Sequence, residues 1–343
     1  MGNRTLQYLV RVSEPSLPSK RTRRGRFLRW SAGLAVLSAV AGYVVVQYDT
    51  GRAGAPGCKV VSGKGDGAMY EFTPEQAVNA ATITAVGTAR ELPERAVTIA
   101  LATALQESAL RNIEHGDRDS LGLFQQRPSQ GWGTPKEIMD PTYAAGKFYE
   151  HLEEVPGYTR LPLTVAAQRV QRSGYPQAYA KHEPDAALLA AALTGRSAAT
   201  LTCEGRPAAT RAAGADAVRA ALTRDFGRDA LEPAGAEVGA ASSPSPSPSP
   251  SPSVSAAPVE SGGGTVRLPV TVEEGADAGA RGWQLAHWAV ANASELRIKR
   301  VSYAGREWTA GHTDSQWRPV DGKNTEGSGS TDGAGVVTIT TMP

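Results

Sequence analysis

Residues 242–264 read SSPSPSPSPSPSVSAAPVESGGG, and no other stretch limits the fold as strongly. Every second residue of the repeat lacks a backbone N–H, and the segment has almost nothing apolar to bury, so it supports neither helix nor sheet. A Ser-Pro repeat favours extended polyproline II at about 3.1 Å per residue, and the SGGG after it reads as a flexible hinge. The chain is thereby expected to divide into a part ending near Phe226, a disordered linker over 227–264 that holds two modules apart, and a part from 265 to 343. With 343 residues there is room for two domains, and 41% hydrophobic with 20% charged residues describes globular material. A net charge of +2 argues against a nucleic-acid partner.

The N-terminus is asymmetric. Residues 1–29 form a basic tail, with KRTRRGRFLR at 20–29, and residues 30–48, WSAGLAVLSAVAGYVVVQY, carry no formal charge. Nineteen residues at about 1.5 Å each can cross a bilayer core. The basic tail then stays cytoplasmic, the bulk of the chain lies outside, and 30–48 contacts the cytoplasmic membrane. The rival reading is a secreted protein whose signal peptide is cleaved after Ala39-Val40-Ala41; the apolar run continuing through Val44, Val45 and Val46 ranks the anchor first. A twin-arginine signal ranks lower, since Arg23-Arg24 stand one residue too far from Phe27-Leu28. The only cysteines, Cys58 and Cys203, follow this segment, and an oxidising exterior would let them pair; two separate buried thiols are the alternative.

After a stalk assigned to 49–72, residues 73–226 have helical periodicity. Apolar residues recur every three to four positions in EQAVNAATITAVGTARE, PERAVTIALATALQESALR, PTYAAGKFYEHLEEV, LTVAAQRVQRS, PDAALLAAAL and GADAVRAALTRDF, and Pro74, Pro93, Pro141 and Pro184 sit at expected helix starts. No hairpin signal is evident among them. The expected fold class is therefore mainly α, with a small α/β module at the C-terminus.

Within this half, TIALATAL runs directly into Glu107. Burying a lone carboxylate costs several kcal/mol unless it is protonated or bonded. A carboxyl group at the end of an apolar helix keeps its proton near neutral pH, which is what the cleavage of a glycosidic bond asks of its acid. A sugar chain also needs hydrogen-bonding groups and aromatic faces; Gln125, Gln126, Trp132, Tyr143 and Tyr175 are of those types, and Gly122 and Gly131 would let backbone approach a ligand. Other readings stand beside this one. Glu107 could pair with Arg111 at i+4. Asp119 could cap the turn before Leu121 or, with Asp117, offer a second carboxylate. Trp132 is either a sugar platform or a plug beneath its loop, and His115 with Glu114 and Asp117 is read as a solvated loop rather than a metal site.

Glu107-Ser108, then Gly122-Leu123-Phe124-Gln125 with Pro128, then Asp140-Pro141, Gly146 and Tyr149 resemble the ordered motifs of lytic transglycosylases in the lysozyme-like superfamily. The resemblance covers about 73–195. It implies a lysozyme-like helical fold cleaving the β-1,4 bond between N-acetylmuramic acid and N-acetylglucosamine of peptidoglycan strands. It further implies Glu107 as the single general acid/base, Ser108 as the serine that orients it, and Gln125 lining the cleft. The substrate's N-acetyl group assists and the muramyl 6-hydroxyl closes a 1,6-anhydro product, so neither a second carboxylate nor a cofactor is required. One motif departs: where the family carries Ala-Tyr-Asn, this chain has Ala166-Ala167-Gln168-Arg169, which leaves Tyr175 or Tyr179 to replace the tyrosine, or leaves a non-catalytic wall-binding protein with a degenerate cleft.

In the C-terminal module, TVRLPVTV, ELRIKRVSYAG and GVVTITTM alternate as strands, ARGWQLAHWAVANAS has helical spacing, and Trp283, Trp288, Trp308 and Trp317 are expected to supply its core. GWQLAHWAVANASELRIKRVSYAGREW resembles the end of an actinobacterial cell-wall domain related to zinc carboxypeptidases. That family's metal motif is absent, so His287 and His312 lack partners, no metal is expected, and the module is read as binding the wall or a cell-envelope protein.

Overall fold

A computed structural model describes residues 57–173, 176–205, 214–228, 264–270, 277–311, 316–320 and 335–342. The segment assigned to the membrane and most of the Ser-Pro linker lie outside the described residues. Among those described, no helix is long and apolar enough to cross a membrane. About half of the fold is helical, and the rest of its regular structure is two small antiparallel sheets.

Six helices form where the apolar periodicity places them. Helix α1 (Pro74–Ala89) begins at a capping box in which Thr73 and Gln76 bond reciprocally, with Pro74 at the first helical position. Helix α2 (Glu94–Ser108) is the axis of this half, buried at every residue from Ala96 to Leu105, as an apolar helix without a polar face must be. Around it pack α1, α4 (Pro141–Glu153, capped by Asp140), α5 (Leu163–Gln171) and α6 (Glu183–Leu193), while the short α3 (Pro135–Ile138) leads into α4. Helix α7 (Ala215–Phe226) lies against α1.

The stretch assigned to a stalk contains a hairpin instead. Strands β1 (Cys58–Val61) and β2 (Met69–Phe72) pair antiparallel, and β3 (Leu201–Cys203) joins the other side of β1. The connecting loop turns through Gly65 and Gly67, both at positive φ, and Asp66 accepts from the Ala68 N–H. Cys58 stands opposite Cys203 in this register, and the two form a disulfide that joins the ends of the helical half.

The C-terminal residues form the second sheet, β4 (Thr265–Pro269), β8 (Val336–Thr341), β5 (Ile298–Tyr303), β6 (Arg306–Thr309) and β7 (Arg318–Pro319) in spatial order, with α8 (Ala278–Ala291) against it. The linker expected over 227–264 lies almost wholly outside the described residues, and the described part of the C-terminal module packs directly on the helical half. Helix α8 is buried from Gly282 to Ala291 and packs on α1, α6 and β3 as well as on β5. Three of the four tryptophans expected to fill a separate core bond across this joint. Trp288 donates its indole N–H to the buried Asp225 carboxylate (2.8 Å), Trp308 to the Cys203 carbonyl (3.0 Å) and Trp317 to the Leu201 carbonyl (2.9 Å). Gly195 faces the Ala280 carbonyl so closely, at φ +79°, that a Cβ there would collide with backbone. Gly264 sits against Ala215 of α7.

Candidate active site

The end of α2 fixes Glu107. Ala109 and Leu110 both adopt left-handed backbone, an uncommon conformation for residues with a Cβ. The turn is held by bonds from the Leu110 N–H to the Ala104 carbonyl (3.0 Å) and from the Ala109 N–H to the Leu105 carbonyl (3.1 Å). Two side chains of α1 take the carbonyls that this turn leaves: Gln76 Nε2 donates to Ala109 O and Asn79 Nδ2 to Leu110 O, each at 2.8 Å. Glu107 thus sits in a rigid last turn and keeps a partly exposed side chain beside an apolar helix.

Its nearest partner comes from 72 residues away. The 3-10 turn Pro176–His182 carries Tyr179, fully buried, whose hydroxyl donates to Glu107 Oε1 at 2.6 Å. Burial pushes the Glu107 carboxyl above its ordinary range, while hydrogen bonds from Tyr179 and Gln171 pull it partway back. Burial, then the bond and charge of Glu107, raise the Tyr179 hydroxyl as well, so it remains a donor. Gln171, which the sequence did not single out, also donates to the Phe124 carbonyl (2.7 Å) and so couples the acid to the GLFQ loop. No ion pair between Glu107 and Arg111 occurs among the described residues.

Beside the acid lies a cavity of about 500 Å³ whose wall includes Gln125, Trp132, Gln171 and Val170. Gln171 faces both the cavity and Glu107, which itself does not line it. Gln125 has φ +49° and donates to the Gly122 carbonyl. Trp132 is half-buried and lies against His151, with ring centroids 4.4 Å apart.

Other sequence candidates turn inward. Ser108 is buried and donates to the Ala104 and Leu123 carbonyls (3.1 and 2.8 Å), so it ties the loop to α2 and does not face a ligand. Gln126 reaches the cavity wall but is only 2% exposed, its amide nitrogen spent on the Ala144 carbonyl. Tyr143 donates to the Trp132 carbonyl (3.3 Å) and packs under Gly133, supporting the tryptophan from behind. Tyr175 lies outside the described residues. Asp119 neither caps the turn before Leu121 nor lines the cavity. It accepts from Arg127 (2.7 Å) and from the Ser129 N–H (2.9 Å), and hydrogen bonding by the Ser129 hydroxyl first, then by Arg127 and the Ser129 N–H, holds its carboxyl well below the usual range.

A family model described as VldE, C-terminal domain, matches residues 268–330. No curated protein matches the chain. The matched stretch holds α8 and β5 to β7, well away in sequence from Glu107 and Tyr179. Within it His287 is wholly buried between the Trp283 and Trp317 rings; its Nδ1 lies 2.7 Å from the Ala192 carbonyl and its Nε2 has no partner. Burial lowers its pKa to about 4, which keeps the ring neutral at physiological pH. Among the described residues no group of three or more His, Cys, Asp or Glu side chains could hold a metal ion.

Proposed function

We propose that the protein is a lytic transglycosylase of lysozyme-like fold, anchored to the outer face of the cytoplasmic membrane by residues 30–48, which cleaves peptidoglycan strands at the bond between N-acetylmuramic acid and N-acetylglucosamine. The observation that carries this reading is the Tyr179 hydroxyl on Glu107 Oε1 at 2.6 Å, beside a carboxyl that burial pushes upward. The chain lacks the tyrosine of the family's Ala-Tyr-Asn motif in its Ala166-Ala167-Gln168-Arg169 stretch, and Tyr179 supplies a hydroxyl to the acid from another element.

In this mechanism protonated Glu107 gives its proton to the glycosidic oxygen as the C1–O bond breaks, with the substrate's N-acetyl group stabilising C1. The Glu107 carboxylate then takes the proton of the muramyl 6-hydroxyl, whose oxygen closes on C1 and leaves a 1,6-anhydro end. Glu107 is protonated again at the end of the cycle, so a single carboxyl serves both steps. Burial keeps the proton available; Tyr179 stabilises the carboxylate in between and holds its orientation. Trp132 and Gln125 offer an aromatic face and an amide to a strand in the adjoining cavity.

The test is to incubate the full chain and its Glu107→Gln variant with isolated peptidoglycan and to weigh the soluble products. Anhydro-muropeptides from the parent and none from the variant are the expected result. Reducing-end products would make the enzyme a hydrolase. Sedimentation of both proteins with the wall and release by neither would replace the enzyme with a wall-binding protein.

A further inference from the structure

The cavity wall is more basic than a neutral sugar requires. Arg127, Arg169 and Arg172 all line it, against a single acid, Glu154, which lies 3.6 Å from His151. Arg127 is committed to Asp119. Arg169 and Arg172 are exposed, and among the described residues neither has an ionic partner. Both leave the end of α5 beside Val170 and Gln171, so two free guanidinium groups flank the residue that links the cavity to Glu107. Arg172 also occupies the left-handed C-cap of α5 at φ +52°, where glycine would meet no steric cost.

We infer that Arg169 and Arg172 form an anion-binding rim that selects strands bearing carboxylates, an inference that rests on the glycan-cleaving reading above. A guanidinium presents several N–H donors in a fixed plane and pairs with a carboxylate through two bonds at once, which makes arginine suited to this discrimination. On a peptidoglycan strand the carboxylate has two sources, the lactyl group of the muramyl sugar or the peptide stem attached to it. The apolar floor at Val155 and Val170 with the Trp132 ring would take the sugar, and the rim its charge.

The experiment measures dissociation constants by calorimetry on the full chain carrying Glu107→Gln, which prevents turnover. The probes are an uncharged N-acetylglucosamine hexamer, peptide-free strands of alternating N-acetylglucosamine and N-acetylmuramic acid, strands with intact stems, and strands with all carboxylates amidated. Carboxylated strands should bind about three- to tenfold tighter than amidated ones, as two exposed ion pairs allow, and the gap should shrink in high salt. Preference for the peptide-free strand over the hexamer assigns the charge to the lactyl group; preference only with stems present assigns it to the peptide. The double variant Arg169→Gln/Arg172→Gln should lose the preference while keeping hexamer affinity and thermal midpoint, and Arg169→Lys/Arg172→Lys should recover part of it. Equal binding of carboxylated and amidated strands, or a preference that survives the glutamine pair, overturns the rim. If anhydro products still form from the parent, the glycan-cleaving reading survives that failure, whereas binding of no strand at all ends both.

Discussion

The helical half and the C-terminal half reach their cores by opposite routes. In the first, α2 buries itself inside its own sequence neighbours, and nearly everything it touches lies between α1 and α6. In the second, α8 is buried from Gly282 to Ala291, but half of its environment belongs to the other part of the chain: Thr88 and Ala192 receive its Gln284 and His287, and Asp225 receives its Trp288. One core is local and legible from periodicity. The other is shared, and nothing in the sequence of α8 names its partners.

The shared core is where this comparison breaks most readily. Replacing Trp288 by alanine empties a fully buried site and removes a donor from the Asp225 carboxylate, and should cost about 3–5 kcal/mol. Denaturant unfolding of parent and variant, followed by circular dichroism and tryptophan fluorescence, should show one coincident transition in each. An early, separate transition of residues 264–342 would mean two modules after all.

A pH series sharpens the same contrast. His287 titrates near 4 when folded, against about 6.5 when free, so the unfolded chain takes up the proton first. Its contribution is intact above about pH 6.5 and lost as pH falls towards 4, on the order of 3 kcal/mol in all. Denaturant midpoints measured from pH 7 to 4 should fall less steeply in His287→Gln than in the parent. Equal slopes would remove His287 from the account of the joint.

The smallest effect belongs to the surface of the helical half. Ala109 is exposed at φ +54°, so Ala109→Gly should relieve strain and raise stability by about 0.5–1 kcal/mol, visible as a higher melting midpoint. A loss of stability would show that the turn after Glu107 depends on the alanine methyl.

Legibility followed the same division. Helices α1, α2 and α4 to α7 announce themselves through apolar periodicity, several of them with a proline at the start, and Glu107 through its misfit at the end of an apolar run. Strands β1 to β3 did not, because runs of three or four residues carry too little alternation to stand out, and β3 lies beyond α6, far in sequence from the β1–β2 hairpin it joins. Tyr179 was one of two tyrosines the sequence offered to Glu107, and only the 3-10 turn that folds back onto α2 singles it out. Gln171 carried no local signal, since its significance comes from two long-range partners, Phe124 and Glu107. Ser108 and Gln126 sit in the right motifs but turn inward, because the loop needs their hydrogen bonds to stay closed.

The central claim is that Glu107 is a proton donor held by Tyr179, and it can be measured without any substrate. Titration of the Glu107 side-chain carboxyl by carbon-13 NMR, assigned against Glu107→Gln, should place it above the ordinary glutamate range. It should move higher still in Tyr179→Phe, which removes a donor that favours the carboxylate. A Glu107 that titrates at or below the ordinary range, or that is unmoved by loss of the Tyr179 hydroxyl, would contradict the account.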